Sequence, residues 1–154
     1  MKQFRWPLEK LFEVTQRRED ILRLELMALE AQARQLRQQI EIGRREIGEA
    51  LTRLGELGLD ERLRRQAATA LWAQRRQAEL DGLHSQVDEL ARRRGEVMRR
   101  FLQARSKRQG LEKLRGEALG AYRREADRIE QNELEEAARS ASAARRMRDS
   151  VKSP

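Results

Sequence analysis

From Leu8 the sequence repeats apolar residues at alternating steps of four and three. The series runs Leu8, Phe12, Thr15, Glu19, Leu22, Leu26, Leu29, Ala33, Leu36, Ile40, Gly43, Ile47, Ala50, Leu54 and Leu57, and twelve of its fifteen positions are apolar. A repeat of 3.5 residues keeps one stripe of an α-helix turned toward a partner helix, whereas a strand would need a repeat of two. Glu, Arg, Gln, Leu and Ala fill most of the remaining positions, and all are good helix formers. The pattern predicts helix one over about 8–57, with Pro7 tolerated at its start because the missing N–H would be unpaired there anyway.

The seam breaks at Gly55-Glu56-Leu57-Gly58-Leu59-Asp60. Two glycines three apart can take the left-handed geometry that ends a helix, and Asp60 can cap the next one. We read about 55–60 as the tip of a hairpin. A second, weaker seam follows: Leu80, Leu83, Val87, Leu90, Arg94, Val97, Phe101, Ala104, Arg108, Leu111, Arg115, Ala118. Between Asp60 and Leu80 the apolar residues Leu63, Ala67, Ala70, Leu71 and Ala73 drift in phase, as a stutter produces. The expected fold is therefore all-α: an antiparallel two-helix coiled coil, or long helical hairpin. It forms one domain over 1–139, with helix two over about 61–139. Residues 140–154 are small and charged without a seam, and are expected to be a frayed or disordered tail.

Composition narrows the function. Of 154 residues 39% are charged and 4% aromatic, and Leu, Ile, Val and Phe together number 33. That is too few to fill the thick interior of a sheet-based enzyme of this length. There is no apolar run long enough to cross a membrane, and no stretch of signal-peptide length follows Met1-Lys2. With no Cys there is no disulfide, thiolate metal site or thiol nucleophile. A phosphate-binding Gly-rich loop ending in Lys-Ser/Thr is absent, and the carboxylates Glu133, Glu135 and Glu136 read as a helix surface rather than acid–base machinery. The one histidine, His84, lies beside the seam residue Leu83. The reading is of a non-enzyme with no cofactor and no metal.

The formal net charge of +8 has a location. Residues 92–115 hold ten basic groups (Arg92, Arg93, Arg94, Arg99, Arg100, Arg105, Lys107, Arg108, Lys113, Arg115) against Glu96 and Glu112. Such a segment is either a solvated flank or a surface for an acidic partner. Phe101 alone interleaves the cations, which argues against single-stranded nucleic acid, and no broad apolar face with Trp or Phe favours a membrane surface. An acidic protein surface is the best functional option. Trp72, in Ala70-Leu71-Trp72-Ala73, has two readings. It either packs over small residues such as Gly43 on the opposite helix, or forms with Leu71 an exposed anchor for a partner.

Both ends of the chain carry a family resemblance. Phe4-Arg5-Trp6-Pro7-Leu8-Glu9-Lys10-Leu11 resembles the opening of FliJ-type flagellar export proteins. The run Ala104-Arg105-Ser106-Lys107-Arg108-Gln109-Gly110-Leu111-Glu112-Lys113-Leu114 is similar to their Arg-Lys-x-Leu-Glu-Lys-Leu block. Tyr122-Arg-Arg-Glu125 and Glu130-Gln131-Asn132-Glu133-Leu134-Glu135-Glu136-Ala137 then resemble the family's tail, in the same order and spacing. Glu135-Glu136 stands where the family usually has Asp-Glu, and Asn132 where Lys is common.

The resemblance implies a cytoplasmic protein of flagellum biogenesis and motility, peripherally associated with the inner-membrane type III export apparatus. Such proteins are two-helix stalks that enter the ring of the export ATPase FliI and contact the export gate FlhA and export chaperones. It implies ATPase-ring contacts through Arg99, Arg100, Arg105, Arg108 and Lys113, and gate contacts through Leu71, Trp72, Ala78 and His84. It also implies a monomer when free and no small-molecule substrate. Alternatives with the same periodicity are an injectisome export stalk, a nucleic-acid-binding coiled coil and a homodimeric structural spacer.

Overall fold

A computed structural model describes residues 4–151, with side chains placed over 4–147. Two long helices, α1 (Glu9–Glu56) and α2 (Leu59–Val151), pack against each other, and there is no strand among the described residues. The chain is an all-α helical hairpin. Its contacts divide it into two compact units, Arg17–Arg105 and Met1–Gln16 with Ser106–Pro154.

The Arg17–Arg105 unit contains the tip. Leu22, Leu29, Val97 and Ala104 form its buried cluster, with Leu26, Leu90 and Phe101 packed around them. These are seam residues of both helices, so burial of the heptad stripe is what holds the pair together. Each fully buried Leu or Val is worth roughly 1.5–3 kcal/mol. Arg23 lies over the Phe101 ring at 6.0 Å, and Arg94 pairs with Glu30 at 2.9 Å. Seven residues on along α1 is thus seven residues back along α2, as an antiparallel coiled coil requires. Farther toward the tip Ile40 and Leu80 are buried, and Leu80 is 0% exposed. Leu80 inserts at Gly43, where a Cβ would lie 2.5 Å from its Cδ2. Gly43 is therefore the hole that receives the Leu80 knob.

Glu19 is 2% exposed in this same seam, and the guanidinium of Arg23 donates to its carboxylate at 3.3 Å. No buried side-chain nitrogen or oxygen among the described residues lacks a hydrogen-bond partner. The polar seam positions thus do not break the core.

The tip is tighter than its glycines suggest. α1 ends at Glu56 and α2 begins at Leu59, leaving only Leu57 and Gly58 between them. No described glycine has a positive φ, so the expected left-handed termination does not occur. Nor do the described hydrogen bonds give Asp60 a capping role. Instead the Gly58 carbonyl accepts from Arg62 N–H at 2.9 Å, which starts α2. The Arg62 guanidinium reaches back and donates to the carbonyls of Gly55 and, at 3.2 Å, Leu57. One cation thus covers carbonyls that the end of a helix leaves without partners.

In the other unit, Trp6 packs edge-on to Phe12 (6.3 Å between centroids) and Phe4 packs on Tyr122 (5.4 Å). Arg115 sits over Phe12 at 5.8 Å and pairs with Glu9 at 3.0 Å. Thr15 is buried because its hydroxyl donates to the Leu11 carbonyl at 2.8 Å. α2 continues past residue 139 to Val151, through the stretch expected to fray. Its side chains are exposed from Asp127 to Met147. Ala-rich sequence carries a helix there on propensity, and the Ser142 hydroxyl donates to the Ala138 carbonyl at 2.7 Å. Residues 152–154 of the expected tail lie outside the described residues.

Candidate partner-binding surfaces

Because the seam side chains face the partner helix, any functional surface in this fold consists of outward-facing positions, about half of which are charged. Within residues 92–105 three arginines are spent on ion pairs: Arg92 with Glu89 at 3.3 Å, Arg93 with Glu25 at 3.4 Å and Arg94 with Glu30 at 2.9 Å. Arg99, Arg100 and Arg105 are exposed and have no carboxylate partner among the described residues. These are the cations available for an outside acid. Successive residues turn by 100°, so Arg99 and Arg100 serve adjacent faces of α2.

Arg108 and Lys113 belong to the other unit. Lys113 is exposed, but the Arg108 side chain is only 22% exposed and binds Glu112 at 2.8 Å. Its place in the heptad seam explains the difference. The stem of Arg108 lies against the helix pair, so it is less available than the other four.

The gate candidates do not form one surface. Leu71 and Ala78 are exposed and two turns apart on one face of α2. Trp72, 42% exposed, is turned one position away and lines a shallow groove of about 530 Å³ with Ala50, Leu54, Leu57, Ala68 and Thr69. Gly43 is filled by Leu80, so of the two readings of Trp72 the one that packs it over Gly43 does not hold. Trp72 pairs nearer the tip because the helix register there is offset from simple counting. His84 is half-buried, and its Nε2 lies 3.2 Å from Arg44 Nη2. A guanidinium only donates, so Nε2 accepts.

Arg76 escapes a reading of apolar residues alone because the inward stripe of α2 keeps its four-three spacing through Thr69, Ala73, Arg76 and Leu80, two of them polar, without the expected stutter there. Its Nε and Nη2 both donate to Glu46 Oε2, at 3.1 and 2.8 Å, and its Nη1 to Glu79 at 2.7 Å. The hydrogen bonds it donates to Glu79 and then to Glu46 raise its pKa above the ordinary arginine value. It ties the helices together where the apolar contacts are sparse. The signal in the sequence was an Arg at a seam position with Glu46 facing it across the pair.

No family model, curated protein or solved structure matches the chain. The chemistry therefore has to be read from the surfaces themselves. Among the described residues no group of three or more His, Cys, Asp or Glu is placed to hold a metal ion, and no helix is long and apolar enough to cross a membrane. What the surfaces offer is ion pairing by unpartnered arginines and apolar contact at Leu71, Ala78 and the Trp72 groove.

Proposed function

We propose that this chain is a non-catalytic stalk of a type III protein-export apparatus, of the flagellar FliJ type. In this role it binds the export ATPase ring, the export gate and export chaperones, and works in the cytoplasm at the periphery of the inner membrane. One observation carries the reading. Phe4 of the opening motif packs against Tyr122 of the tail motif, and Glu9 pairs with Arg115. Two motifs more than a hundred residues apart in sequence thus meet in one helical hairpin, as a stalk with paired terminal helices requires. The outward-facing Arg99, Arg100 and Arg105 supply cations for an acidic ring, and Leu71 and Trp72 supply apolar contacts for the gate.

Co-purification with the export ATPase is the test. The wild-type chain is expected to retain the ATPase, and the Arg99→Glu/Arg100→Glu/Arg105→Glu variant to lose most of it. Arg108 is left out of that variant because its partner Glu112 makes it part of the helix surface itself. A wild-type chain that never retains the ATPase overturns the stalk assignment. Equal retention by the triple variant moves the ring contact elsewhere on the chain.

A further inference from the structure

α1 carries a second stripe that α2 does not cover. Ile21, Leu24, Ala28, Ala31 and Gln35 follow the same three-four spacing as the seam, and all five are exposed. Ile21 and Leu24 are each 65% exposed. No charge interrupts the stripe in a chain that is 39% charged. A second heptad stripe on a coiled-coil helix is the shape into which a third helix packs.

The flank of this stripe says what charge that helix carries. Glu25, on the edge of the stripe, pairs with Arg93 of α2 at 3.4 Å. One heptad back along α1 is Arg18, and one heptad on along α2 is Arg100. The position that holds an acid–base pair at one level therefore holds two arginines at the next. Both are exposed and neither has a carboxylate partner among the described residues. Two cations at one level that are bound to no carboxylate favour an incoming one.

The chain itself supplies a helix of that description. Between Glu125 and Glu136 it has six acidic residues (Glu125, Asp127, Glu130, Glu133, Glu135, Glu136) against one basic residue, Arg128. Every side chain from Asp127 to Met147 is exposed. Glu130, Glu133 and Glu136 make no ion pair among the described residues, while Glu135 is bound by Arg139. Leu134, Ala137, Ala138 and Ala141 lie at i, i+3, i+4 and i+7, a small apolar face beside those acids. We propose that the Ile21–Gln35 stripe of one copy receives the acidic Glu125–Ala141 segment of a second copy, with Arg18 and Arg100 holding its carboxylates. The chain then self-associates, in place of the monomer expected of it when free. This proposal does not depend on the export reading.

Sedimentation equilibrium of the purified full-length chain tests it without any other protein. At low salt the average mass is expected to rise above 18.1 kDa as concentration approaches about 300 µM. Added salt should weaken the association, because exposed ion pairs are screened. Leu24→Asp, Arg18→Glu/Arg100→Glu and Glu133→Lys/Glu136→Lys should each weaken it by about tenfold or more. Helicity, read by circular dichroism, should be unchanged because all these side chains are exposed. Mixing the two charge-reversed variants should restore association, since each then presents what the other lacks. A wild-type chain that stays monomeric throughout overturns the proposal. Association indifferent to Leu24→Asp overturns the docking face, and association indifferent to Glu133→Lys/Glu136→Lys overturns the acidic segment as its occupant.

Discussion

The Arg17–Arg105 unit holds two unlike kinds of helix pair. Along Leu22–Leu29 and Val97–Ala104 the helices share a continuous buried cluster. From Arg44 to Glu79, around the tip, not one residue is buried. The tip is held by a two-residue link, the Arg62 guanidinium on the last carbonyls of α1, and Arg76 between Glu46 and Glu79. Short closure explains why this is enough. A two-residue connection keeps the helix ends near each other at little further entropic cost, so few contacts are needed there. Far from the link, only apolar burial offsets the freedom of the chain.

That contrast is easiest to break at its boundary. Leu80→Ala removes a side chain with no exposure and should lower stability by about 2–5 kcal/mol in thermal or urea unfolding, whereas Leu63→Ala, 62% exposed near the tip, should change it by no more than about 0.5 kcal/mol. Equal effects would mean that burial is as continuous at the tip as in the middle. Gly43→Ala sets a clash against Leu80, costing about 1–3 kcal/mol, against a helix-propensity gain of about 1 kcal/mol. It should be destabilising alone and much less so with Leu80→Ala, a non-additivity that a double-mutant cycle reads directly.

Two smaller effects sharpen the picture at the tip. Arg62→Ala should cost about 1 kcal/mol and speed amide hydrogen exchange around residues 54–62, leaving Leu22–Leu29 and Val97–Ala104 protected. Uniform acceleration along both helices would show that the tip does not open by itself. Gly58→Ala, with no positive φ and open space at the Cβ, should be neutral or stabilising by about 0.4–1 kcal/mol. A clear loss of stability would return this glycine to the left-handed role that the sequence suggested.

Much of this was legible in the sequence because heptad burial is a local rule. Every seam position from Phe12 to Leu57 is buried or half-buried, including the polar Thr15 and Glu19, and only Leu8 is left exposed. The tip was located to within a residue or two by its glycines, although for the wrong conformational reason. What escaped depended on geometry across the pair. Trp72 could not be placed without the register across the pair, which seats Leu80 at Gly43. Arg62 looked like any surface arginine, since a side chain reaching backward to carbonyls leaves no periodic mark. The basic 92–115 stretch was visible as a whole, but which of its arginines are free depends on Glu25 and Glu30 standing opposite Arg93 and Arg94.

The missing side chain at Gly43 also bears on mechanics. Leu80 is seated at the one seam position of α1 without a Cβ, and a slip of one heptad in either direction would bring it against Leu36 or Ala50. The two strands are thereby keyed, like a shaft in a slotted collar. A pull along one strand is handed to the other at the key instead of travelling all the way round the bend, so the pair resists shear well before the link is loaded.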